Sequence, residues 1–134
     1  MKNRATAIII QNGRLLLMRR QKFEQDYFIL PGGGVELDES YEEACTREVK
    51  EETGLEVLSL QRVYSYRYRG SEEVYFVTRV EHGEPVLGGS EAARQSPTNQ
   101  YSFVWVSPEQ LAGLNLQPIA ARRICLEIFR RHNL

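Results

Sequence analysis

The stretch that decides the fold is residues 33–55, which read GGVELDESYEEACTREVKEETGL. Ser40 followed three residues later by Glu43 is the pattern of a capping box, which starts a helix. Gly54 is typical of the position just past a helix end, because glycine adopts the left-handed conformation at little cost. Together these signals predict a helix from about Tyr41 to Thr53.

An α-helix turns about 100° per residue, and this geometry places three glutamates on or beside the apolar stripe of the predicted helix. The stripe consists of Tyr41, Ala44, Cys45 and Val49. Glu48 and Glu52 project within it and Glu51 sits at its edge, whereas Lys50 points away. Carboxylates spaced three and four residues apart repel one another and resist burial. A solvated face with ion pairs explains this pattern poorly, whereas a hard divalent cation such as Mg²⁺, Mn²⁺ or Ca²⁺ would join the carboxylates.

The spacing of the whole segment resembles the Nudix box of the Nudix hydrolase family. Gly33 is followed by five residues and Glu39, then by seven residues and 47–49 (Arg-Glu-Val). One residue then precedes 51–52 (Glu-Glu), and one more precedes 54–55 (Gly-Leu). Every defining position matches, and fixed spacing over this many positions makes the signal specific. The resemblance implies an α/β fold of the Nudix type, an α/β/α sandwich with a mixed β-sheet between helices.

The resemblance also implies a metal site and its supporting residues. The expected ligands of Mg²⁺ or Mn²⁺ are the backbone carbonyl of Gly32 and the side chains of Glu48, Glu51 and Glu52. Metal ions polarise phosphoryl oxygens and lower the pKa of bound water, which hydrolysis of a diphosphate requires. Glu52 is the helical residue best suited to a base role. Structural support is expected from Gly33, Glu39, Arg47 and Gly54, with Arg47 orienting either Glu39 or Glu51.

A second candidate for the general base lies outside the box. Some Nudix enzymes draw this base from a loop after the helix, and Glu91 in the segment LGGSEAARQ lies in a long irregular stretch, residues 82–100. Loops of this length in a compact domain are usually functional or mobile. An ordinary solvated glutamate is the alternative for Glu91, so the base is left open between Glu52 and a loop residue such as Glu91.

Residues for substrate binding are indicated only by their chemistry. Arginines clamp phosphates, and aromatic rings stack on bases. The candidate clamps are Arg19, Arg20, Arg67 and Arg69, and the candidate stacking residues are Tyr27, Phe28, Tyr66 and Tyr68. Packing between neighbouring strands is an equally good account of the tyrosines.

Length and composition predict a single Nudix hydrolase domain over residues 1–134, with 42% hydrophobic residues and a net charge of −1. Seventeen basic against eighteen acidic residues give no field for a nucleic-acid polymer or an anionic membrane. The N-terminal MKNRATAIII has too short an apolar core for a signal peptide, which favours a cytoplasmic protein. Cys45 and Cys125 fall on apolar helix faces and are expected in the core.

The remaining elements alternate in the order expected for a mixed sheet between helices. Strands are predicted at Ala5–Ile10, Arg14–Arg20, Leu55–Tyr68, Val74–Val80 and Tyr101–Val106, with hairpin turns at Asn12-Gly13 and Gly70-Ser71 and a short apolar piece at Phe28–Leu30. Gly32-Gly33-Gly34 is expected to be a loop. Ser107-Pro108-Glu109 should start a short helical turn, and Pro118 should open the last helix.

The function predicted is a metal-dependent pyrophosphohydrolase that cleaves a diphosphate bond in a nucleoside diphosphate linked to another moiety. Its partner would be a small phosphorylated nucleotide or nucleotide sugar, with a homodimer left open. A nucleotide-binding sensor or scaffold without turnover is the alternative, although an intact box speaks against it. A calcium-binding helix protein fits poorly, because no loop with alternating oxygen ligands is present.

Overall fold

The computed structural model describes residues 2–132, which form nine strands and four helices. In chain order these are β1 (Arg4–Ile8), β2 (Ile10–Gln11), β3 (Arg14–Lys22), β4 (Gln25–Ile29), β5 (Gly32–Gly34), α1 (Tyr41–Thr53), β6 (Val57–Tyr68), β7 (Ser71–Val80), α2 (Gly89–Ala93), β8 (Asn99–Val106), α3 (Pro108–Leu111), β9 (Leu116–Gln117) and α4 (Ile119–His132). Within these described residues, no helix is long and apolar enough to cross a membrane.

The chain divides into two compact units. The first comprises Met1–Ile9 and Pro31–Val86, and the second comprises Ile10–Leu30 and Leu87–Leu134. Each unit has its own sheet, and each sheet contains both parallel and antiparallel pairs. The mixed character of the β-structure is therefore confirmed, and the single domain over residues 1–134 stays a prediction.

The sheet of the first unit has the order β5-β1-β7-β6. β1 runs parallel to β7, whereas β5 and β6 pair antiparallel with their neighbours. Helix α1 packs against β1, β5 and β6. The core includes Ala5, Ala7, Ile8, Ala44, Cys45, Val49, Val74, Tyr75 and Phe76, all of them buried. β1 is buried on both faces from Ala5 to Ile8, and α1 buries Ala44, Cys45 and Val49 of the stripe that its periodicity predicts.

Helix α1 has the bounds predicted from its capping signals. The Ser40 hydroxyl accepts a hydrogen bond from the Glu43 N–H, and the Glu43 carboxylate accepts one from the Ser40 N–H at 2.8 Å. Gly54 ends the helix in the left-handed conformation, with φ 77°. Burial raises the pKa of the Cys45 thiol to about 12, in keeping with a core residue rather than a reactive one.

The triglycine segment was expected to be a loop, and this prediction is wrong. Residues 32–34 form β5, with Gly33 opposite Ala5 of β1. The strand needs glycine for space, because a Cβ on Gly32 would lie 2.4 Å from the carbonyl oxygen of Ala5. Its hydrogen-bonding partner comes from the start of the chain, so a local reading of three glycines could not identify the pairing.

The long hairpin of β6 and β7 confirms the two strands predicted there. Irregularities in the pairing lie between Val57 and Ser59 and between Arg62 and Tyr64. Arg69 has a positive φ of 53° and lies with Gly70 in the turn that joins the two strands. The strand register alone therefore does not fix the direction of the Arg69 side chain.

The second unit is built around β3, whose residues 15–18 are fully buried. β4 and β8 flank β3 in antiparallel pairs, and β9 adds to β4 in a parallel pair. Helix α4 buries Cys125, as predicted, together with Ala121, Ile124 and Ile128, while Phe129 is only half-buried. The stretch 82–100, predicted to be irregular, contains α2 and the first residues of β8.

Candidate functional site

Glu52 is the most deeply placed carboxylate of α1. The residue is only 6% exposed, because it lies within the apolar stripe of the helix. Its Oε1 accepts a hydrogen bond from the backbone N–H of Gly32 in β5, at 2.8 Å. A charged acceptor is strengthened by such a bond, and burial makes the bond more valuable than it would be in water. The box helix and the glycine strand are therefore joined at this carboxylate.

Glu48 lies directly over the next glycine of β5. A Cβ on Gly33 would stand 2.4 Å from Cδ of Glu48 and 2.6 Å from each carboxylate oxygen. No side chain other than hydrogen could occupy that position without moving the carboxylate. The side chain of Glu48 is 18% exposed, against 52% for that of Glu51. The absent side chain at Gly33 therefore makes room for a half-buried carboxylate.

Arg47 connects three glutamates and the glycine strand. Its Nε and Nη2 donate to Glu39 at 2.7 and 3.0 Å, a bidentate arrangement. Its Nη1 donates to Glu48 at 2.9 Å and to Glu51 at 3.3 Å, and its Nη2 also donates to the Gly34 carbonyl at 3.0 Å. The sequence left the partner of Arg47 open between Glu39 and Glu51, and the structure pairs it with both. The contacts to Glu48 and to the Gly34 carbonyl had no signal in the sequence.

The electrostatics of Glu39 follow from these bonds. The Arg47 guanidinium and, next, the backbone N–H of Glu36 hold the pKa of the Glu39 carboxyl down to about 2. The same pairing raises the pKa of Arg47 above its usual value. Both groups therefore stay charged at neutral pH, and the pair ties the loop before α1 to the helix.

The candidate substrate residues of the first unit already have partners. The Tyr66 hydroxyl donates to Glu73 at 3.0 Å, and its ring stacks on Tyr75. Arg67 is exposed and lies 3.6 Å from Glu72. At the hairpin end, Arg69 lies over the ring of Tyr68, which is 58% exposed. These contacts of Tyr66 are of the packing kind, Tyr68 keeps an exposed face, and a substrate-binding role for either tyrosine stays a prediction.

The candidate substrate residues of the second unit lie on neighbouring strands. Arg19 pairs with both oxygens of Asp26, at 2.9 and 2.6 Å, and its guanidinium lies over the Phe28 ring. Arg20 lies 5.0 Å from the ring centroid of Tyr101. Among residues 2–132, its buried Nε has no hydrogen-bond partner.

The other two candidates of this unit are Tyr27 and Glu91. Tyr27 stands opposite Arg20 in the register of β3 and β4. Glu91 lies in α2 and is half-buried.

The Nudix spacing of α1 is matched by a comparison over nearly the whole chain. The family model described as the NUDIX domain matches residues 1–126. The chain belongs to the Nudix hydrolase family. A MutT structure from work on Aliivibrio salmonicida and Vibrio cholerae has a TM-score of 0.73 with this Nudix chain, at 22% identity over 96% of this chain and 97% of that one. The predicted fold class, a Nudix-type α/β/α sandwich, is confirmed by this likeness.

Relatives of this Nudix chain include proteins with named activities. A MutT-like protein of Streptomyces ambofaciens is 34% identical over 110 residues, which cover 81% of this chain and 64% of that protein. The CTP pyrophosphohydrolase of Escherichia coli K12 is 31% identical over 114 residues, covering 84% of this chain and 80% of that protein. The chain therefore spans less than two thirds of the length of the MutT-like relative and most of the length of the second.

The oxygen donors of the Nudix box have the chemistry that a hard divalent cation requires. Three carboxylates project from α1, and the glycine strand brings bare backbone to the same side of the helix. As placed in residues 2–132, no three His, Cys, Asp or Glu side chains converge on a point where one ion would be held. Arg47 and the Gly32 N–H are among the groups that the carboxylates contact in this arrangement. The donor set fits Mg²⁺ or Mn²⁺ in kind, and the ligand assignment stays a proposal.

Proposed function

We propose that this Nudix protein is a metal-dependent pyrophosphohydrolase acting on a nucleoside diphosphate linked to another moiety. The observation that carries the proposal is the burial of Glu52 against the glycine strand, beside Glu48 and Glu51 on the same helix. A carboxylate that is 6% exposed is costly to keep charged unless something cationic or strongly hydrogen-bonding compensates it. A site for a divalent cation and a phosphorylated ligand gives these three carboxylates a common purpose.

In this proposal Glu48, Glu51, Glu52 and the Gly32 carbonyl hold Mg²⁺ or Mn²⁺. The ion would neutralise phosphoryl charge and lower the pKa of a bound water. The protein's own contribution is positional: Arg47 orients Glu39, Glu48 and Glu51 through hydrogen bonds of 2.7 to 3.3 Å. Glu52 is the candidate base on the helix, and Glu91 is the candidate from the segment that contains α2.

The substrate class follows from charge and from one relative. The side chains proposed to meet phosphate or base include Arg19, Arg20, Arg67, Arg69, Tyr66, Tyr68 and Phe28. Arg20 has the best support among them, because its guanidinium already lies on an aromatic ring and its Nε lacks a hydrogen-bond partner within residues 2–132. The name of the Escherichia coli relative, a CTP pyrophosphohydrolase, supports a small nucleotide. A cytoplasmic location and a homodimer stay predictions.

Turnover of a nucleotide panel tests the proposal. The panel contains nucleoside triphosphates, nucleotide sugars and dinucleoside polyphosphates, each with Mg²⁺, with Mn²⁺ and with EDTA. We expect metal-dependent release of a nucleoside monophosphate from at least one member, because cleavage between the two phosphates leaves one of them on the nucleoside. Saturable nucleotide binding without turnover under any metal would contradict the proposal and favour the sensor or scaffold.

A further inference from the structure

Strand β8 has an edge that a side chain covers. Within residues 2–132, β8 forms a ladder with β3 on one side only. On the other side, the Tyr101 N–H donates to Oε1 of Gln95 at 2.7 Å, and Nε2 of Gln95 donates to the Tyr101 carbonyl at 3.0 Å. Tyr101 is 5% exposed, so its backbone groups need such partners. The amide of Gln95 therefore pairs with Tyr101 as a neighbouring strand would.

Gln95 lies just past the end of α2, the helix that contains Glu91, and backbone hydrogen bonds connect the two positions. The Gln95 N–H donates to the Ala92 carbonyl at 3.4 Å, and the Arg94 N–H donates to the Glu91 carbonyl at 3.2 Å. Asn99 donates from Nδ2 to the Arg94 carbonyl at 3.3 Å. These hydrogen bonds link residues 91–95, so fixing the position of Gln95 also restricts the position of Glu91.

The chain beyond Gln95 is also fixed to the sheet. Ser96 and Asn99 exchange backbone hydrogen bonds of 3.0 and 3.2 Å, which close a tight turn. The carbonyl of Thr98 in that turn accepts from the Phe23 N–H at 2.9 Å, at the tip of the hairpin of β3 and β4. The turn is therefore held by its hydrogen bond to Phe23, whereas the residues between α2 and the turn are held by the bonds of Gln95 to Tyr101.

Burial of apolar surface contributes little to holding residues 92–98 in place. Residues 92–98 are all exposed, so the segment buries little apolar surface of its own. Segments with few buried contacts open at low free energy. The two hydrogen bonds from the Gln95 side chain therefore stabilise the contact of this segment with β8 directly.

We propose that Gln95 is a positioning residue, whose two hydrogen bonds to the Tyr101 backbone hold residues 91–95 against the edge of β8. We call these two bonds the latch. The inference rests on the proposed function only through the role of Glu91 as a candidate base. Gln95 acts through Glu91 and contacts neither substrate nor metal. A purely structural role, in which Gln95 merely protects an exposed strand edge, makes a different kinetic prediction.

Hydrogen exchange measures the latch directly. Gln95→Met keeps the length of the side chain and removes both hydrogen bonds. We expect the Tyr101 amide to exchange about tenfold faster or more, since two bonds of ordinary strength are lost. Gln100→Met is the matched control, because Gln100 is an exposed glutamine on β8 next to Tyr101. An unchanged Tyr101 amide in Gln95→Met would overturn the latch.

Kinetics in two backgrounds test whether the latch acts through Glu91. In the otherwise native protein, Gln95→Met should lower kcat by roughly tenfold and change KM by less than about twofold. In a Glu91→Gln background, the same change should have no further effect, because the group that it positions is already gone. Equal losses in both backgrounds would overturn positioning and leave edge protection. If Glu91→Gln itself has native kcat, the proposed role of Glu91 fails, and hydrogen exchange still decides the latch separately.

Discussion

At the scale of single residues, the carboxylate of Glu48 packs closely against the backbone of Gly33. Gly33 has no side chain, and the carboxylate of Glu48 fills the space where a Cβ would be. Arg47 then holds Glu48 from the other direction, at 2.9 Å. Two residues that the box fixes by spacing alone thus have a physical reason to be glycine and arginine. The geometry of one carboxylate depends on both.

Gly33→Ala should lower turnover while leaving stability nearly unchanged. The new methyl group would stand 2.4 Å from Cδ of Glu48, and the flexible end of the glutamate would move aside. A displacement of about 1 Å at a catalytic group can cost up to about a hundredfold in rate. Gly34→Ala is the control, since the atoms nearest its methyl group would belong to the flexible side chain of Lys2 and not to a glutamate of the box. Turnover at the native rate in Gly33→Ala, measured with its melting temperature, would contradict this account.

Glu39 should make a pH-dependent contribution to stability. Its pKa is about 2 in the folded protein, against 4.5 for the ordinary side chain, because Arg47 and the Glu36 N–H favour the charged form. The contribution is therefore fully present above pH 4.5 and is lost as the pH falls through the folded pKa near 2.

Urea unfolding of the native protein and Glu39→Gln checks this expectation. The difference in free energy of unfolding should be constant from pH 7 down to about 5 and should shrink from there towards pH 2. A difference that is unchanged at pH 2.5, or a Glu39 carboxyl that titrates near 4.5 by NMR, would show that the pair with Arg47 does not form in solution.

At the scale of elements, the N-terminal cap of α1 adds to the stability that burial of its apolar stripe provides. Ser40→Ala removes the acceptor for the Glu43 N–H, and loss of such a cap costs about 1 kcal/mol. We expect a lower free energy of unfolding in urea with an unchanged slope. Ser107→Ala removes the similar cap of the four-residue helix α3. It is a useful comparison because α3 is much shorter than α1. Native stability in Ser40→Ala would mean that packing alone sets the helix start.

The sequence predicted elements whose signals are local. The bounds of α1 follow from Ser40 and Gly54, and the hairpin turn at Asn12-Gly13 has the positive φ values that such a turn requires, 52° and 74°. The resemblance to the Nudix box could be recognised because the spacing of its residues is fixed within one segment of the chain. These features need no knowledge of what packs against them.

The sequence could not predict features that depend on distant partners. β5 is a strand because β1, from the start of the chain, pairs with it. The two bonds from Gln95 to the Tyr101 backbone have no pattern in the sequence, because they form only when the segment lies beside the edge of β8. The contacts of Arg47 to Glu48 and to the Gly34 carbonyl likewise follow from tertiary packing.

At the scale of the whole molecule, metal binding and folding should be linked. Divalent ions that bind only the folded protein raise its stability by mass action. We expect Mg²⁺ or Mn²⁺ at millimolar concentration to raise the melting temperature by several degrees. Glu51→Gln should weaken that response, whereas Glu56→Gln, which removes an exposed partner of Lys50, should not. A melting temperature that ignores both ions would favour a helix with no metal site.

The central claim is that the carboxylate of Glu52, which is buried, is required for efficient hydrolysis. Glu52→Gln tests this claim most directly. The amide keeps an oxygen that can accept from the Gly32 N–H, so the link between α1 and β5 can survive while the charge is lost. The measurement is kcat/KM on the substrate that the nucleotide panel identifies, with Mg²⁺ or Mn²⁺ and with Glu56→Gln as the control. We predict a loss of about a hundredfold or more for Glu52→Gln and native activity for the control. Near-native kcat/KM in a folded Glu52→Gln protein would contradict the account.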